Sequence, residues 1–221
     1  MENYMNDYLT IALPKGKLFT ISKNLLHRVG LSVDHLSEKS RKLVIENEDL
    51  KVRFIIAKTS DVPTYVEYGA ADIGIIGKDV LLESQKDVYE ILDLGFGKCH
   101  LMMAVPKKEK RRRLLDYSYT RVATKYPHIA ESFFARQGMQ MEYIKLNGSI
   151  ELGPIVGLSE SIVDIVETGT TLAENDLEEI AHILDVSARL IVNRVSFKLK
   201  FHRINEIVNN LRPIIESGEI L

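Results

Sequence analysis

Residues 164–172 (DIVETGTTL) combine acids, threonines and a glycine in an order that suits a phosphorylated sugar. A strand-like apolar run leads into them, and a helix-like run follows. Consecutive backbone N–H groups in such a turn form a nest for an anion, and Gly169 lets the backbone approach a phosphate closely. Asp164 and Glu167 can accept hydrogen bonds from ribose hydroxyls. We therefore expect a ribose 5-phosphate here; the alternative is an N-capped turn without a ligand.

Basic residues around Gly16 form a second candidate site, because Lys15 and Lys17 directly follow the first predicted strand. Ligands of open α/β sheets bind at the carboxyl ends of the strands, and two lysines beside a glycine would suit a polyphosphate. The spacing is not that of a P-loop, and a surface turn with solvated lysines is the alternative. Further along, Arg41 is either a phosphate fork or a solvated charge.

Glycines recur between Gly69 and Asp79, where a predicted strand meets a helix. A glycine-rich strand end permits close approach by a planar ligand, and tight helix–sheet packing is the alternative. The order differs from the dinucleotide-binding fingerprint. The six histidines are scattered without metal-ligand spacing, which argues against a transition-metal site built by the protein.

Composition is that of a globular protein, with 221 residues, a formal net charge of −2, 45% hydrophobic residues and one cysteine. These values exclude disorder and a disulfide framework, and they suit the cytoplasm. No apolar run approaches the roughly 18 residues of a membrane span, and residues 1–10 do not have the apolar core of a signal peptide. The even charge argues against a general nucleic-acid binder. The basic tract at 107–113 is either a solvated face near a lobe junction or a docking patch.

Strand-like and helix-like runs alternate along the chain, which predicts an α/β fold with mainly parallel sheets. A break near Pro106 indicates two lobes. Residues 179–193 alternate over a length that predicts one long strand, which would return the chain to the first lobe. We expect Ser196 to cap a final helix that runs to about Ser217.

Several stretches, taken together and in this order, resemble the short form of the ATP phosphoribosyltransferase family, which begins histidine biosynthesis. They are LPKGKL at 13–18, SRKL at 40–43, SDVPTYVEYGAADIGIIGKD at 60–79, RVATK at 121–125, GSIEL at 148–152 and DIVETGTTL at 164–172. Because they span most of the chain, they are far more specific together than any one motif.

The resemblance implies a two-lobed α/β fold like that of type II periplasmic binding proteins, with the active site in the interlobe cleft. Residues 1–105 and 185–221 would form lobe I, and residues 106–184 would form lobe II. It implies that phosphoribosyl pyrophosphate (PRPP) is bound by Glu151, Asp164, Glu167, Thr168, Gly169, Thr170, Thr171 and Leu172. It implies that ATP is bound by Lys15, Gly16, Lys17, Asp61, Asp72 and Gly77, and that Arg41, Lys17 and Lys15 act in catalysis.

The implied reaction transfers the phosphoribosyl group of PRPP to N1 of ATP, giving N1-(5-phosphoribosyl)-ATP and pyrophosphate. Mg²⁺ would bridge the pyrophosphate, and no protein-built metal site is expected. The family usually has arginine where Lys17 stands. Lysine keeps the charge but loses the bidentate fork.

The resemblance also implies partners. Short forms lack the histidine-binding domain of the long form and need a separate regulatory subunit that is similar to histidyl-tRNA synthetase. The expected assembly is a cytoplasmic hetero-octamer of four catalytic and four regulatory chains, with a homodimer of catalytic chains and no nucleic acid or membrane. The rival functions are a solute-binding module, which the 164–172 segment argues against, and a noncatalytic subunit, which Lys15 and Arg41 argue against.

Overall fold

The computed structural model describes residues 8–37, 41–111 and 113–218. Ser40 of the second motif and Arg112 of the basic tract lie outside the described residues. The described chain divides into two units. Unit 1 contains the residues up to Gly97 and those from Ser187 onward, and unit 2 contains residues 98–186.

In chain order, the strands are β1 (Leu9–Pro14), β2 (Val44–Asn47), β3 (Val52–Ala57), β4 (Ile73–Gly77), β5 (Tyr89–Asp93), β6 (Cys99–Pro106), β7 (Arg121–Thr124), β8 (Glu142–Lys145), β9 (Ser161–Val166), β10 (Leu177–Val186) and β11 (Ala188–Val192). The helices are α1 (Lys17–Arg28), α2 (Val62–Glu67), α3 (Lys78–Ser84), α4 (Pro127–Arg136), α5 (Leu152–Ile155), α6 (Thr170–Glu174), α7 (Arg194–Leu199) and α8 (Phe201–Glu216). Strands β6 to β10 and helices α4 to α6 belong to unit 2.

The sheet of unit 1 has the strand order β2-β3-β1-β4-β11-β5. Strands β1, β3 and β4 are parallel, whereas β2 pairs antiparallel with β3, and β11 pairs antiparallel with β4 and β5. Every residue of β1 and β4 is buried, as expected for parallel strands that are covered on both faces. One face packs against α1 and α8, with Phe19 and Leu211 in the core. The other packs against α2 through Val62 and Val66.

The sheet of unit 2 has the strand order β10-β6-β9-β7-β8. Strands β7, β8 and β9 are parallel, β6 is antiparallel to β9, and β10 is antiparallel to β6. Helix α4 covers one face through Ile129 and Phe134. On the other face, Ile150 and Leu172 of the α5 and α6 regions pack against Ala123 and other small strand residues. Both units therefore have the α/β organisation that the alternating pattern predicted. Their sheets are mixed rather than mainly parallel, since the described strands form four parallel and five antiparallel pairs.

The passages between the units differ from the expected boundaries. The chain enters unit 2 after Gly97 rather than after residue 105, because β6 pairs with β10 along its whole length and so belongs to the second sheet. The run 179–193, expected as one long strand, divides at Ser187. Strand β10 ends in the sheet of unit 2, and β11 begins in the sheet of unit 1. The alternation of apolar residues continues through this break, so the pattern alone could not reveal it.

The C-terminal helical region begins earlier than expected. Asn193, rather than Ser196, caps α7, since its side-chain oxygen accepts hydrogen bonds at 2.9 Å from the N–H groups of Val195 and Ser196. Lys200 separates α7 from α8. The hydroxyl of Ser196 instead donates to Asp72 at 2.6 Å, which fastens the helix to the start of β4. Within the described ranges, no helix combines the length and the hydropathy needed to cross a membrane.

Candidate active site

The carboxyl ends of three parallel strands meet at one edge of the unit 2 sheet, which we call the unit 2 edge. Strand β7 leads into Lys125, β8 leads into residues 146–151, and β9 leads into residues 167–169. Thr124 lies opposite Lys145 and Val163 in the strand register. Ligands of open α/β sheets bind at such edges. Three of the motifs singled out in the sequence are therefore brought together here.

Residues 167–169, which we call the 167–169 loop, join β9 to α6. Gly169 occupies the N-cap position of α6 with φ +75° and ψ −2°, a left-handed conformation that disfavours any residue with a Cβ. The hydroxyls of Thr168 and Thr170 hydrogen-bond to each other at 3.0 Å. No side chain caps α6, and its first backbone bond runs from the N–H of Ala173 to the carbonyl of Gly169. The N–H groups before Ala173 have no intrahelical acceptor, as in an anion nest.

Asp164 lies near the carboxyl end of β9, on the same face as Val166, which belongs to the core beneath α6. Burial raises the pKa of Asp164 to about 6, and the nearby charge of Glu151 adds to the rise. The N–H of Ile165, which donates to the carboxylate at 2.8 Å, and the charge of Lys125 act in the opposite direction. A carboxyl group with a raised pKa at a strand end is typical of a functional site.

Close packing of α5 holds Glu151 at the unit 2 edge. Glu151 occupies the N-cap position of α5 and is half-buried. A Cβ added to Gly153 would lie 2.7 Å from Ser159 Oγ and 2.8 Å from Ala123 Cβ, so only glycine permits this approach of the helix to β7. The expected PRPP residues, from Glu151 to Leu172, thus converge on one edge of a single unit.

The basic residues around Gly16 lie at the corresponding edge of unit 1, which we call the unit 1 edge. The N–H of Lys15 donates to the carbonyl of Ala57 at 2.8 Å, and the hydroxyl of Thr59 donates to the carbonyl of Lys15 at 3.2 Å. Gly16 has φ +93°, which a residue with a side chain rarely adopts. Lys15 and Lys17 are both exposed. The backbone of the turn is therefore held, while its two ammonium groups remain exposed to solvent.

The topology of β2 brings Arg41 to the same edge. Strand β2 is antiparallel to β3, and the N–H of Ile56 donates to the carbonyl of Leu43 at 2.9 Å. Residues that precede Leu43 therefore extend past the carboxyl end of β3, where Ala57 bonds to Lys15. Arg41 is exposed there. The three residues expected to act in catalysis share the unit 1 edge.

Asp61 and Gly77 also lie at the unit 1 edge, at the start of α2 and the end of β4. Asp61 is exposed and accepts a hydrogen bond at 2.9 Å from the hydroxyl of Ser60. A Cβ on Gly77 would lie 2.1 Å from Asp79 Oδ1, so the buried Asp79 side chain occupies the space beside this glycine. A side chain on Gly77 would therefore displace the carboxylate of Asp79.

Asp72 lies at the opposite end of the sheet from the other expected ATP residues, because it precedes β4 whereas Gly77 ends it. It is buried, and its carboxylate accepts hydrogen bonds from the N–H of Thr10 at 2.8 Å, the hydroxyl of Ser196 at 2.6 Å and the ammonium of Lys200 at 2.7 Å. Asp72 therefore fastens β1, α7 and the start of α8 together, and we leave it out of the candidate nucleotide site.

The glycine at position 74 serves helix–sheet packing, one of the two alternatives that the sequence left open. A Cβ on Gly74 would lie 2.8 Å from a methyl group of Val66 and 2.9 Å from one of Val62. Gly74 is therefore what allows α2 to lie close against β4.

The basic tract does not coincide with a passage of the chain between the units, because those passages are at residues 97–98 and 186–187. It follows the last residue of β6, at the end of that strand opposite Lys98. Lys107 pairs with Asp176 at 3.7 Å, and Arg113 pairs with Asp116 at 2.8 Å. The guanidinium of Arg111 lies over the ring of Tyr117, 5.0 Å from its centroid. Basic residues of the tract thus contact both the β6–β7 connection, at Asp116 and Tyr117, and the residue that precedes β10, Asp176.

Sequence reasoning missed three residues at the unit 2 edge: Lys125, His100 and Glu179. Lys125 stands in the RVATK stretch but was given no role, and its charge acts on Asp164. His100 Nε2 lies 3.8 Å from Glu179 Oε2, and Glu179 Oε1 would lie 3.7 Å from a Cβ on Gly169. Only the pairing of β6 with β9 and β10 brings these distant residues together, so no local signal could have found them.

Metal-binding side chains do not cluster in the part of the chain that the structure describes, since no group of three or more His, Cys, Asp or Glu residues could hold an ion there. The carboxylates placed at the unit 2 edge are those of Asp164, Glu151, Glu167 and Glu179. Such a donor set fits a hydrated cation that is carried by a substrate, because Mg²⁺ usually keeps several of its waters and bridges phosphates.

Comparison with known proteins shows to which family the chain with these two edges belongs. The model of the ATP phosphoribosyltransferase family matches residues 58–213, which include the 167–169 loop, Asp164 and Asp61. The chain belongs to the ATP phosphoribosyltransferase family. An ATP phosphoribosyltransferase of Desulfitobacterium hafniense is 53% identical over 216 residues, which cover 95% of this chain and 97% of that protein.

Solved structures agree with this assignment. The ATP phosphoribosyl transferase (HisG:HisZ) complex from Thermotoga maritima contains a chain with a TM-score of 0.80 and 33% identity, over 95% of this chain and 99% of that one. A substrate-binding protein of an amino acid ABC transporter has a TM-score of 0.63 at 12% identity, over 96% of this chain and 95% of that one, and so shares the fold alone. The family and the two-lobed α/β fold expected from the sequence are both confirmed.

Proposed function

We propose that the chain transfers the phosphoribosyl group of PRPP to N1 of ATP, giving N1-(5-phosphoribosyl)-ATP and pyrophosphate in the first step of histidine biosynthesis. The observation that carries the proposal is the 167–169 loop with Asp164 beside it, at a carboxyl strand edge and within the segment that matches the family. The name of the Desulfitobacterium hafniense relative supports the same reaction.

PRPP binds at the unit 2 edge in this proposal. The backbone N–H groups of the turn, up to that of Leu172, hold the 5-phosphate, and the hydroxyls of Thr168, Thr170 and Thr171 add donors. Asp164 and Glu167 accept hydrogen bonds from the ribose hydroxyls, with Glu151 beside them. The left-handed conformation of Gly169 supports this arrangement, because it turns the backbone at the N-cap position without a side chain in the way.

ATP and the leaving pyrophosphate are bound by the unit 1 edge. Lys15, Lys17 and Arg41 present exposed cations there, and Gly16 leaves the backbone open to a phosphate. Asp61 offers an exposed carboxylate to hydrogen-bond donors of the nucleotide. Because a guanidinium matches two phosphate oxygens at once, Arg41 is the group best suited to the growing charge of pyrophosphate.

The chemistry is a substitution at C1 of the ribose. The lone pair of adenine N1 forms the new bond to C1 with inversion, and the C1–O bond breaks with its electrons going to pyrophosphate. N1 needs no base, because its lone pair is available at neutral pH. The residues therefore act by positioning the substrates and by stabilising negative charge on the leaving group. Mg²⁺ would enter with PRPP as part of the substrate and would neutralise charge on its pyrophosphate.

A regulatory subunit is part of the proposed assembly. The Thermotoga maritima neighbour is a complex of two kinds of chain, which supports a partner of this type here. We propose that the partner resembles histidyl-tRNA synthetase, that four catalytic and four regulatory chains form a cytoplasmic hetero-octamer, and that catalytic chains pair as homodimers within it.

Pyrophosphate release tests the proposed function. The purified chain is incubated with ATP, PRPP and Mg²⁺, with and without the regulatory subunit, and each substrate is omitted in turn. We expect release only when both substrates are present. Release that persists without ATP would indicate PRPP hydrolysis, and binding of ligands without any release would favour the solute-binding module.

A further inference from the structure

His100 and Glu179 have no role in the proposed reaction, although they lie beside the 167–169 loop. Each side chain is 34% exposed, and His100 Nε2 lies 3.8 Å from Glu179 Oε2. Neither residue belongs to the stretches that carry the family resemblance. The contribution of so exposed an ion pair to stability is small, so stability alone does not account for the arrangement.

Strand register places both residues on the face that carries the loop. His100 on β6 lies opposite Val166, the last residue of β9 before the loop. Glu179 on β10 lies opposite Ala104. Val166 and Ala104 pack in one core cluster with Leu172 of α6. Since directly paired residues point to the same side of a sheet, both side chains lie on the α6 side, next to the 167–169 loop.

Charge at this position indicates what His100 does. A carboxylate near Gly169 would repel a phosphate in the loop unless a cation compensated it, and Glu179 Oε1 lies 3.7 Å from the place of a Cβ on that glycine. His100 Nε2 lies 3.8 Å from Glu179 Oε2. An imidazolium at this place has a donor on each ring nitrogen, one for Glu179 and one for a phosphate.

We propose that His100 is a further binding residue of the PRPP site and donates a hydrogen bond to the 5-phosphate. The proposal rests on the proposed function, which puts that phosphate in the 167–169 loop. A phosphate is the fitting partner because the ribose hydroxyls already have the acceptors Asp164 and Glu167. The pyrophosphate has its cations, Arg41 among them, at the unit 1 edge.

Calorimetric titration of the full chain with PRPP and with ribose 5-phosphate tests the proposal. His100→Gln replaces the imidazole and is expected to weaken both ligands about tenfold or more, the loss typical of removing a hydrogen bond to a charged group. His100→Arg keeps a cationic donor and is expected to bind both within about threefold of the unmodified chain. Thermal unfolding of each variant verifies that it folds.

The matched control is His202→Gln, the same change at an exposed histidine of α8 in unit 1. It is expected to leave both affinities unchanged. Unchanged binding by His100→Gln, or an equal loss in His100→Arg, would overturn the proposal. A loss for PRPP but not for ribose 5-phosphate would overturn the assignment to the 5-phosphate. Absence of PRPP binding by the unmodified chain would instead overturn the proposed function itself.

Discussion

Asp164 is the residue whose ionisation the fold changes most clearly. Its carboxyl lies at the end of a buried strand, and burial raises its pKa to about 6 from an ordinary value of 3.8. The folded chain therefore holds this proton between about pH 4 and pH 6, where the unfolded chain has lost it. Stability contributed by the protonated group is present below pH 4 and is lost as the pH rises towards 6.

Asp164→Asn is expected to stabilise the chain at pH 7 by on the order of 2 kcal/mol, because the amide avoids the cost of a desolvated charge. The gain should vanish at pH 4. Urea unfolding at several pH values measures it, with the exposed Asp49→Asn as the matched control. An equal difference at pH 4 and pH 7 would contradict a raised pKa. The same variant should bind PRPP more weakly, since an acceptor for ribose hydroxyls is altered.

Arg41 is expected to act on the transition state more than on binding, because charge grows on pyrophosphate as the C1–O bond breaks. Arg41→Ala should lower kcat on the order of 10²-fold, a loss typical of removing one preorganised donor, while PRPP affinity falls far less. Steady-state kinetics measures kcat, and calorimetry measures the PRPP affinity. Arg212→Ala, an exposed arginine of α8, is the control. Equal, small effects on kcat and affinity would remove Arg41 from this role.

Among the elements, the 167–169 loop needs a glycine because of its backbone conformation and not because neighbouring atoms leave no room for a Cβ. Gly169 and Gly157 have φ of +75° and +74°, and a Cβ at either meets no atom closer than 3.7 Å. Alanine at either position should therefore cost about 1–2 kcal/mol of stability through the left-handed conformation. Only Gly169→Ala should also weaken PRPP binding. Comparable PRPP affinities in the two variants would argue against the loop as the phosphate site.

The contact of β4 with α7 and α8 depends on the buried pair of Asp72 and Lys200, whose ammonium also donates to the carbonyl of Tyr8 at 2.7 Å. Lys200→Met should destabilise the chain by about 3–5 kcal/mol, because it leaves a buried carboxylate without its cation. Urea unfolding measures the change. Lys198→Met makes the same substitution at an exposed site nearby and should cost little. If the two variants unfolded alike, the pair would have no structural importance.

Some strands and helix caps could be predicted from the sequence, and others could not. The strand-like apolar run expected before residues 167–169 is strand β9, since this run is short and bounded by polar turns. The division of 179–193 into β10 and β11 was missed, since a strand that continues into another sheet keeps the same alternation. Asn193 was missed as a cap because Ser196 is also a common capping residue.

In the whole molecule, the order and direction of the strands decide which candidate residues lie close together. A sequence motif does not contain this information. Asp72 and Gly77 are close in sequence, yet they stand at opposite ends of β4, about 16 Å apart for a strand of this length. Conversely, His100 and Glu179 are far apart in sequence but meet through the pairing of β6 with β10. The family motifs thus indicated the reaction and supplied the candidate residues, while the sheet order shows which of these residues share an edge of a sheet.

The identity of the product tests the central claim most directly. The chain is incubated with ATP, PRPP, Mg²⁺ and the regulatory subunit. The nucleotides are then analysed by mass spectrometry and by two-dimensional NMR of the adenine ring. We predict one product, ATP with a phosphoribosyl group on N1, formed in an equal amount with pyrophosphate. Ribose 5-phosphate with unchanged ATP, or a phosphoribosyl group on any other atom of ATP, would contradict the account.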